Sequence, residues 1–505
     1  MTVVGAGSAG LLAALAVKKV NPHITVRVVF DSDIPVIGVG ESTQPNLPNF
    51  LHNFLEIPYG EFYRKVKPTW KLGLRFKWGK RPAFSYPFQE QFSLRPSPDL
   101  REPGFYCFDD MSCTNELTAA LEMDRSPVFQ EVDGRLGMRL DHAYHIENRK
   151  FVDFLLQKAE EFGCDFLDAA VVRGIRGEDG YLSGVELGNG ETLKSDLWID
   201  SSGFNSVLLG AEMGVVYREY SDRLFCDRSV VGSVEYRSDK DVLRPYTCVD
   251  TFDCGWCFTI DHEDVSNLGY VFASACIADE DAVTEFRAAH PKVKDVRLIR
   301  FRSGRYEELW HRNVVGIGNA SGFIEPLEAT ALAIACRASV DLAYALSISP
   351  HVPRKVVQRY NLDVGNAWDV TADFITFHYA FNDNRDTGFW RECRNALPAK
   401  IGIYEEYLEY YRACGPTSVM ARHQYKEGDL FKLDGFLSLA LGMRVPFDAS
   451  LEISVAEKRM WEKRRRSYRE RGLRALPQRQ ALEVVKSSVW RWPAPALSPY
   501  YQQGG

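Results

Sequence analysis

The chain has 505 residues, 45 % of them hydrophobic and 26 % charged, a balance that excludes wholesale disorder, collagen and coiled-coil fibres. Lys plus Arg number 61 against 68 Asp plus Glu, and the resulting net charge of −7 is a poor basis for general nucleic-acid binding. The length predicts about two to four domain-sized units, or one large enzyme with interleaved lobes.

No stretch reaches the roughly 18–20 apolar residues of a membrane span. The best apolar run, Gly10 to Val17, is shorter and lacks a preceding basic region, so neither an anchor nor a signal peptide is expected. The 11 Cys are odd in number and scattered, which predicts reduced thiols in a cytoplasmic protein rather than a disulfide framework. Cys254-Gly-Trp-Cys257 has no second pair to complete a zinc site; it reads as structural, and no metal site is expected.

Thr2-Val-Val4 reads as a strand, followed by Gly5-Ala-Gly7-Ser8-Ala9-Gly10. Leu11 to Val17 is rich in helix formers. Ile24 to Phe30 reads as a second strand and ends at Asp31. This is a βαβ unit in which each glycine has its own task. Gly5 permits the tight turn, Gly7 lets a pyrophosphate approach the backbone, and Gly10 lets the helix pack on the sheet. The helix N-terminus offers free N–H groups to the phosphates, and Asp31 stands where a ribose hydroxyl is accepted.

Further on, Lys150 to Gly163 is an amphipathic helix. Ala169 to Ile175 and Gly184 to Leu187 read as strands, and Asn189-Gly190 as a hairpin turn before a strand over Thr192 to Ile199. Residues 228–300 alternate as β-rich segments, Asn313 to Gly318 is a buried strand, and a helix is predicted from about Leu327 to Ser347. Beyond 350 the chain reads as mostly helical, with a strongly basic helix over Trp461 to Gly472 whose charges read as a solvated face. Three nucleotide-type turns, near 5–10, 200–204 and 318–322, are expected to converge on one extended dinucleotide. That spread suits FAD in an aromatic-hydroxylase-like fold better than a simple NAD dehydrogenase.

Four strings go beyond a generic flavoprotein: Ile37-Gly-Val-Gly40-Glu41-Ser42-Thr43-Gln44-Pro45; Trp70-Lys71-Leu-Gly-Leu-Arg75-Phe76; Gly318 to Ala331, containing Glu325-Pro-Leu-Glu328-Ala-Thr330; and His378-Tyr379 with Asn384 to Arg391. Together they resemble the flavin-dependent halogenases of the tryptophan halogenase family, from residue 3 to about 395. The resemblance implies an α/β fold: an FAD-binding Rossmann-like lobe with an interleaved β-rich segment and a mostly helical C-terminal substrate lobe. The expected flavin lobe is residues 1–80, 140–225 and 295–347, and the expected substrate lobe is 81–139, 226–294 and 348–505.

It also implies FADH2 from a separate flavin reductase, O2, a halide and a small aromatic substrate, and is compatible with a homodimer; no nucleic acid or membrane partner is expected. The halide is oxidised to hypohalous acid, which travels to a lysine. Lys71 stands at that lysine and Glu328 at the second catalytic residue. Thr330 and Ala331 stand at the halide-binding N–H groups. Gly5, Gly7, Ser8, Ala9, Gly10, Asp31, Gly40, Glu41, Ser42, Val171, Asn319 and Leu332 stand against the flavin. The chemistry suits these residue types. An ammonium group polarises a hypohalite oxygen and a neutral amine is halogenated. A carboxylate orients that species or takes the ring proton. N–H groups at a helix start bind an anion.

The chain also departs from the family pattern. Trp256-Cys-Phe258-Thr-Ile260-Asp261 replaces WxWxIP, Gly10-Leu11 replaces Gly-Trp, and Ala329-Thr330-Ala331 replaces S-T-G. No match to the family's indole-holding C-terminal segment is visible in 400–505. These departures point away from free tryptophan and leave a larger substrate, a phenol or another indole open. Two other readings stay open on the residues alone: a flavin monooxygenase that reduces its own flavin, and a non-catalytic flavin-binding paralogue.

Overall fold

The structure, a computed structural model, describes residues 1–34, 40–91, 111–236, 242–349, 351–416, 430–450 and 452–493. Ile37, Gly38 and Val39 of the first family string lie outside the described residues.

Thr2–Val4 is the centre of a six-stranded sheet. It pairs in parallel with Arg27–Phe30 on one side and Trp198–Asp200 on the other. Asp165–Asp168 extends one edge in parallel; Val314–Gly316 and then the antiparallel Trp310–His311 extend the other. Strand order reverses between Thr2–Val4 and Trp198–Asp200, the switch point at which such sheets open a crevice for a nucleotide. The Ser8–Val20 helix is buried along Gly10 to Val17. It packs against two helices, Ala331–Ile348 and Asn148–Glu161.

Alongside lies a seven-stranded sheet ordered Lys294–Arg300, Arg228–Glu235, Val265–Phe272, Gly255–Asp261, Thr247–Phe252, Gly73–Lys77, Phe84–Pro87. Its pairs are antiparallel except Thr247–Phe252 with Gly73–Lys77. A small three-stranded sheet links the two: Ala143–Ile146 pairs with Glu41–Ser42 on one edge and with Thr69–Lys71 on the other. That sheet brings two of the family strings side by side. The C-terminal part is helical, including Arg354–Ala380, Gly388–Ala396, Tyr404–Cys414, Lys432–Gly442, Val455–Gly472 and Gln478–Lys486.

Several expectations are corrected. The strand expected over 192–199 is two strands in different sheets, Thr192–Leu193 in a hairpin and Trp198–Asp200 in the parallel sheet. The β-rich stretch contains a helix, Asp279–Ala289, started by three acids in its first turn. The helix expected from Leu327 starts at Ala331, because Ala329 adopts a left-handed φ of 56° after the short 3-10 turn Pro326–Glu328. Ala331–Ile348 is also long and apolar enough to cross a membrane, with a mean hydropathy of 1.5, and most of it is buried inside the protein. Finally, Cys254 and Cys276 form a disulfide where only reduced thiols were expected. Tertiary pairing supplies the geometry: Gly255 stands opposite Phe272, and Ala273 N–H donates to the Cys254 carbonyl at 3.1 Å. The two Cα atoms are thereby held 5.9 Å apart, within disulfide range.

Candidate active site

The first cluster of functional residues is built from backbone. Gly5 has a φ of +106°, and a Cβ there would lie 2.4 Å from the Ser201 carbonyl oxygen. A Cβ on Gly10 would lie 2.3 Å from the Gly5 oxygen, and one on Gly318 would lie 2.5 Å from the Ala9 Cβ. The three glycine turns therefore touch, at the switch point of the sheet. Asp200, fully buried, ties the second turn together: its carboxylate accepts from the N–H groups of Ser202, Leu208 and Leu209.

Gly7 differs from Gly5 and Gly10 in that no atom of the described residues lies within 4 Å of where a Cβ would stand. It is the N-cap of the Ser8–Val20 helix, with no side-chain cap and no acid in the first turn. Free N–H groups and the positive end of the helix dipole thus face open space, a cradle that fits a dinucleotide pyrophosphate. Ser8 Oγ donates to Asn148 Oδ1 at 3.1 Å, fastening the turn to the neighbouring helix. Asp31 follows the Arg27–Phe30 strand, half-buried, and accepts from the Asp33 N–H at 3.0 Å. Ala169 N–H donates to the Phe30 carbonyl, which brings the start of the Val171–Arg176 strand to the same edge as Asp31. Asn319 lies in the Gly318–Ala320 turn, and Leu332 is buried at the start of Ala331–Ile348. Gly40 has a φ of +68°, and a Cβ there would stand 2.3 Å from Asn267 Nδ2. Burial pushes the neighbouring Glu41 carboxyl up to about 7. Ser42 Oγ lies 2.9 Å from Thr247 Oγ1.

The second cluster is built from buried side chains. Lys71 and Glu328 are both 0 % exposed. Lys71 Nζ donates to the Thr43 carbonyl at 3.0 Å and lies 5.0 Å from the centre of the Phe88 ring. The next residue, Gln44, donates through Nε2 to the Glu328 carbonyl. Adjacent residues of the first family string thus join the lysine to the glutamate. Burial pushes the Lys71 ammonium down to about 7, against the pull of the Glu328 carboxylate.

Glu328 Oε1 lies 2.8 Å from His378 Nε2, and His378 Nδ1 lies 2.7 Å from the Phe374 carbonyl oxygen. A carbonyl only accepts, so Nδ1 carries a hydrogen. The Nε2–Oε1 contact needs a second one. The pair therefore holds a shared proton, as imidazolium with carboxylate or imidazole with carboxylic acid. The other oxygen, Oε2, has no hydrogen-bond partner among the described residues. It is the atom of Glu328 left for a reacting group.

Thr330 is the buried N-cap of Ala331–Ile348, without a side-chain cap and with no acid in the first turn. This 18-residue helix leaves the N–H groups of its first turn without intrahelical partners immediately after Glu328. Anion-binding donors and the buried carboxylate are thus consecutive in the chain, separated by the left-handed Ala329.

Sequence reasoning gave no role to the residues that brace Lys71. Trp70 N–H donates to Gln478 Oε1 at 3.1 Å, and Leu72 N–H donates to the Pro245 carbonyl at 2.7 Å. Gln478 Nε2 donates to the Arg244 carbonyl at 3.1 Å. The Arg244 guanidinium binds both oxygens of buried Asp261, at 2.7 and 2.8 Å. Burial pushes the Asp261 carboxyl up, but Arg244 and Ser266 outweigh it and hold the group below the usual range. Asp261 is the residue where the family pattern has proline. That departure was the one visible signal of the brace; Gln478 had none. Trp390, read as packing, does pack: its Nε1–H donates to the Phe252 carbonyl and its ring stacks on Tyr379.

A dinucleotide cradle at the switch point of a parallel sheet, in one fold with a buried lysine–glutamate pair, is the pattern of a nucleotide-dependent redox enzyme. The tryptophan halogenase family model matches residues 1–457, and the chain belongs to that family. It is 29 % identical over 443 residues to tryptophan 7-halogenase RebH of Lentzea aerocolonigenes, covering 81 % of each chain. It is 28 % identical to tryptophan 6-halogenase ThaL of Streptomyces albogriseolus, covering 83 % of each. Among solved structures, MibH, a lanthipeptide tryptophan 5-halogenase, superposes with a TM-score of 0.87 at 33 % identity, over 96 % of this chain and 93 % of that one. The chain is a flavin-dependent halogenase that carries out FADH2-dependent aromatic halogenation.

Proposed function

We propose that the enzyme receives FADH2 from a separate flavin reductase and halogenates an electron-rich ring of indole or phenol type at the Lys71–Glu328 pair. The observation that carries this reading is the burial of both groups together, joined through Thr43 and Gln44. Reduced FAD, when bound, supplies the two electrons with which O2 and halide yield an oxidised halogen. In balance, ring C–H, halide, one proton, FADH2 and O2 give ring C–halogen, FAD and two waters.

The chain's own residues then have separate tasks. Gly5, Gly7 and Gly10 with the Ser8–Val20 helix hold the pyrophosphate, and Asp31 takes a ribose hydroxyl. The N–H groups at Thr330 and Ala331 hold the halide. Lys71 holds the hypohalous acid; with its pKa near 7 it also populates the neutral amine that forms a haloamine. Glu328 Oε2 orients that species or accepts the ring proton, and His378 shares the proton on the other oxygen. Residues 1–80, 140–225 and 295–347 are assigned chiefly to flavin, and 81–139, 226–294 and 348–505 to substrate. Asp261 in place of proline and the likeness to a lanthipeptide halogenase both favour a substrate larger than free tryptophan.

The test combines purified protein, a generic flavin reductase, FAD, NADH, O2 and bromide or chloride with indoles, phenols and tryptophan-containing peptides. Mass spectrometry should show halogen isotope patterns that require the reductase. Rapid anaerobic bleaching of the flavin by NADH without reductase, with hydroxylated product, would place the enzyme among the monooxygenases instead.

A further inference from the structure

The basic helix Val455–Gly472 takes no part in either cluster. From Val455 to Arg474 there are nine Lys and Arg against three Glu, in a chain of net charge −7. One face of the helix is committed. Trp461 and Gly472 are buried, and a Cβ on Gly472 would lie 2.8 Å from the Ala119 Cβ of the Glu116–Glu122 helix. Arg465 donates to the Ser112 carbonyl and Oγ. The opposite face is exposed and carries Arg459, Lys463 and Arg466 at i, i+4 and i+7. That spacing makes one stripe about 10 Å long. Arg469, on the flank of the stripe, and Arg474, just beyond the helix end, are also exposed. Among the described residues none of these five is ion-paired; Glu462 borders the stripe and Glu470, at i+11, ends it, so the basic run is the part from Arg459 to Arg466. Like charges at helical spacing repel by a few tenths of a kcal/mol per pair, a cost that a bound polyanion removes.

The fold narrows the choice of polyanion. Membrane insertion of a basic helix needs a free apolar face, and here the face opposite the charges is occupied by the Glu116–Glu122 helix. Nucleic acid would have to approach an acidic chain along a single helix. A short acidic peptide needs only the stripe itself. The stripe also has a useful address. Leu117 and Leu121 of the intervening helix share an apolar cluster with Leu72, next to Lys71. The two packed layers between stripe and Lys71, roughly 10 Å each, set a minimum separation that a substrate running round them has to exceed. About six or more extended residues, at roughly 3.3 Å each, span it.

We propose that the exposed face of Val455–Gly472 binds the acidic side chains of a peptide substrate whose aromatic residue reaches Lys71. This rests on the halogenase reading above and names its substrate class: a tryptophan- or tyrosine-containing peptide with an acidic stretch at least six residues from the target ring.

The probe is a labelled peptide with one Trp, an eight-residue Gly/Ser spacer and four Glu, made in both orders, with a four-Gln counterpart. Fluorescence anisotropy with the full chain at low ionic strength should show the Glu peptide binding at least tenfold tighter. The gap should shrink with salt and vanish in Arg459→Glu/Lys463→Glu/Arg466→Glu, while FAD affinity and halogenation of a free indole stay unchanged. Halogenation kcat/KM should favour the Glu peptide by the same factor. Cutting the spacer to two residues should abolish that kinetic advantage and leave the binding gap. Equal binding of Glu and Gln peptides in both orders, or a gap that survives the triple variant, overturns the proposal. So does preferential, stripe-dependent binding of duplex DNA or anionic vesicles over the Glu peptide. A binding gap that depends on the stripe, with no halogenation of any peptide or free indole, supports the acid-binding face and overturns the halogenase reading.

Discussion

The glycine-turn cluster and the Lys71–Glu328 cluster solve opposite problems. The first is backbone presented to open space: a helix N-terminus at Gly7 with nothing among the described residues within 4 Å of a would-be Cβ. The second consists of ionisable side chains with no exposed surface. Backbone N–H groups hold a charged ligand at little cost, because the chain always carries them. Burying an ammonium and a carboxylate is expensive unless both are paired or change protonation. Here the cost is met by the Thr43 carbonyl, by the proton shared with His378, and by a lysine whose ammonium is pushed down to about 7. On the proposed function, the glycine-turn end is thus built to bind and the lysine end to react.

The largest effect should come from Lys71→Ala, which separates the two ends. FAD binding and O2 consumption should persist while halogenated product falls on the order of 10²–10³-fold or more, the cost of losing a positioned donor. Lys71→Arg should fail similarly, since a guanidinium does not readily become a haloamine. Halogenation within a few-fold of wild type would make the lysine structural and erase the contrast. Gly7→Val attacks the other end. A branched side chain standing where the pyrophosphate approaches should abolish flavin binding in a fluorescence titration, with the fold intact by circular dichroism. Tight binding by this variant would mean that the open space at Gly7 is not the cradle.

Next in size is His378→Phe. It removes the shared proton from Glu328 and should lower kcat about tenfold or more, with FAD affinity unchanged. An unchanged kcat, or a shift in FAD affinity alone, would make His378 a packing residue.

The last two predictions concern stability. The Lys71 pKa is depressed on folding, from 10.5 to about 7. Between those values the unfolded chain binds more protons than the folded one, so this residue makes stability rise with pH across that window. Each pH unit there is worth up to about 1.4 kcal/mol. Urea unfolding at pH 7.5 and 9.5 should show the rise in wild type and a flatter response in Lys71→Met; equal slopes would deny the depressed pKa. Arg244→Met strips the partner from buried Asp261. It should cost about 2 kcal/mol, less than the 3–5 of a fully buried pair because the arginine side chain is 32 % exposed. It should lower halogenation more than flavin binding, because the brace ends at Trp70 and Leu72 on either side of Lys71. A uniform loss of both would make the clamp a purely structural one.

Much of the flavin end is legible in the amino-acid sequence. The Thr2–Val4 strand, the glycine turn, the following helix and Asp31 are contiguous, and each has a local physical signature. The convergence of the turns near 5–10, 200–204 and 318–322 follows from their kind, and the contacts of Gly5 with Ser201 and of Gly318 with Ala9 show it. At the lysine end the family strings locate Lys71 and Glu328, but nothing local foretells their surroundings. Lys71 stands between Trp70 and Leu72 in a pattern that taken alone reads as an exposed strand lysine. The structure buries all three residues of Thr69–Lys71.

The class of fold, the nucleotide turn and the family strings that single out Lys71 and Glu328 are all set by the amino-acid order, because glycine conformations, hydrophobic periods and short strings are properties of neighbours along the chain. Only the folded chain encloses Lys71 fully, makes His378 share a proton with Glu328, sets Gln478 and the Arg244–Asp261 clamp behind the Lys71 strand, and brings Cys254 to Cys276. Each of these depends on pairing and burial between distant segments. Desolvation, which sets the chemistry of Lys71, is a property of everything packed around a group and is written in no single stretch of the chain.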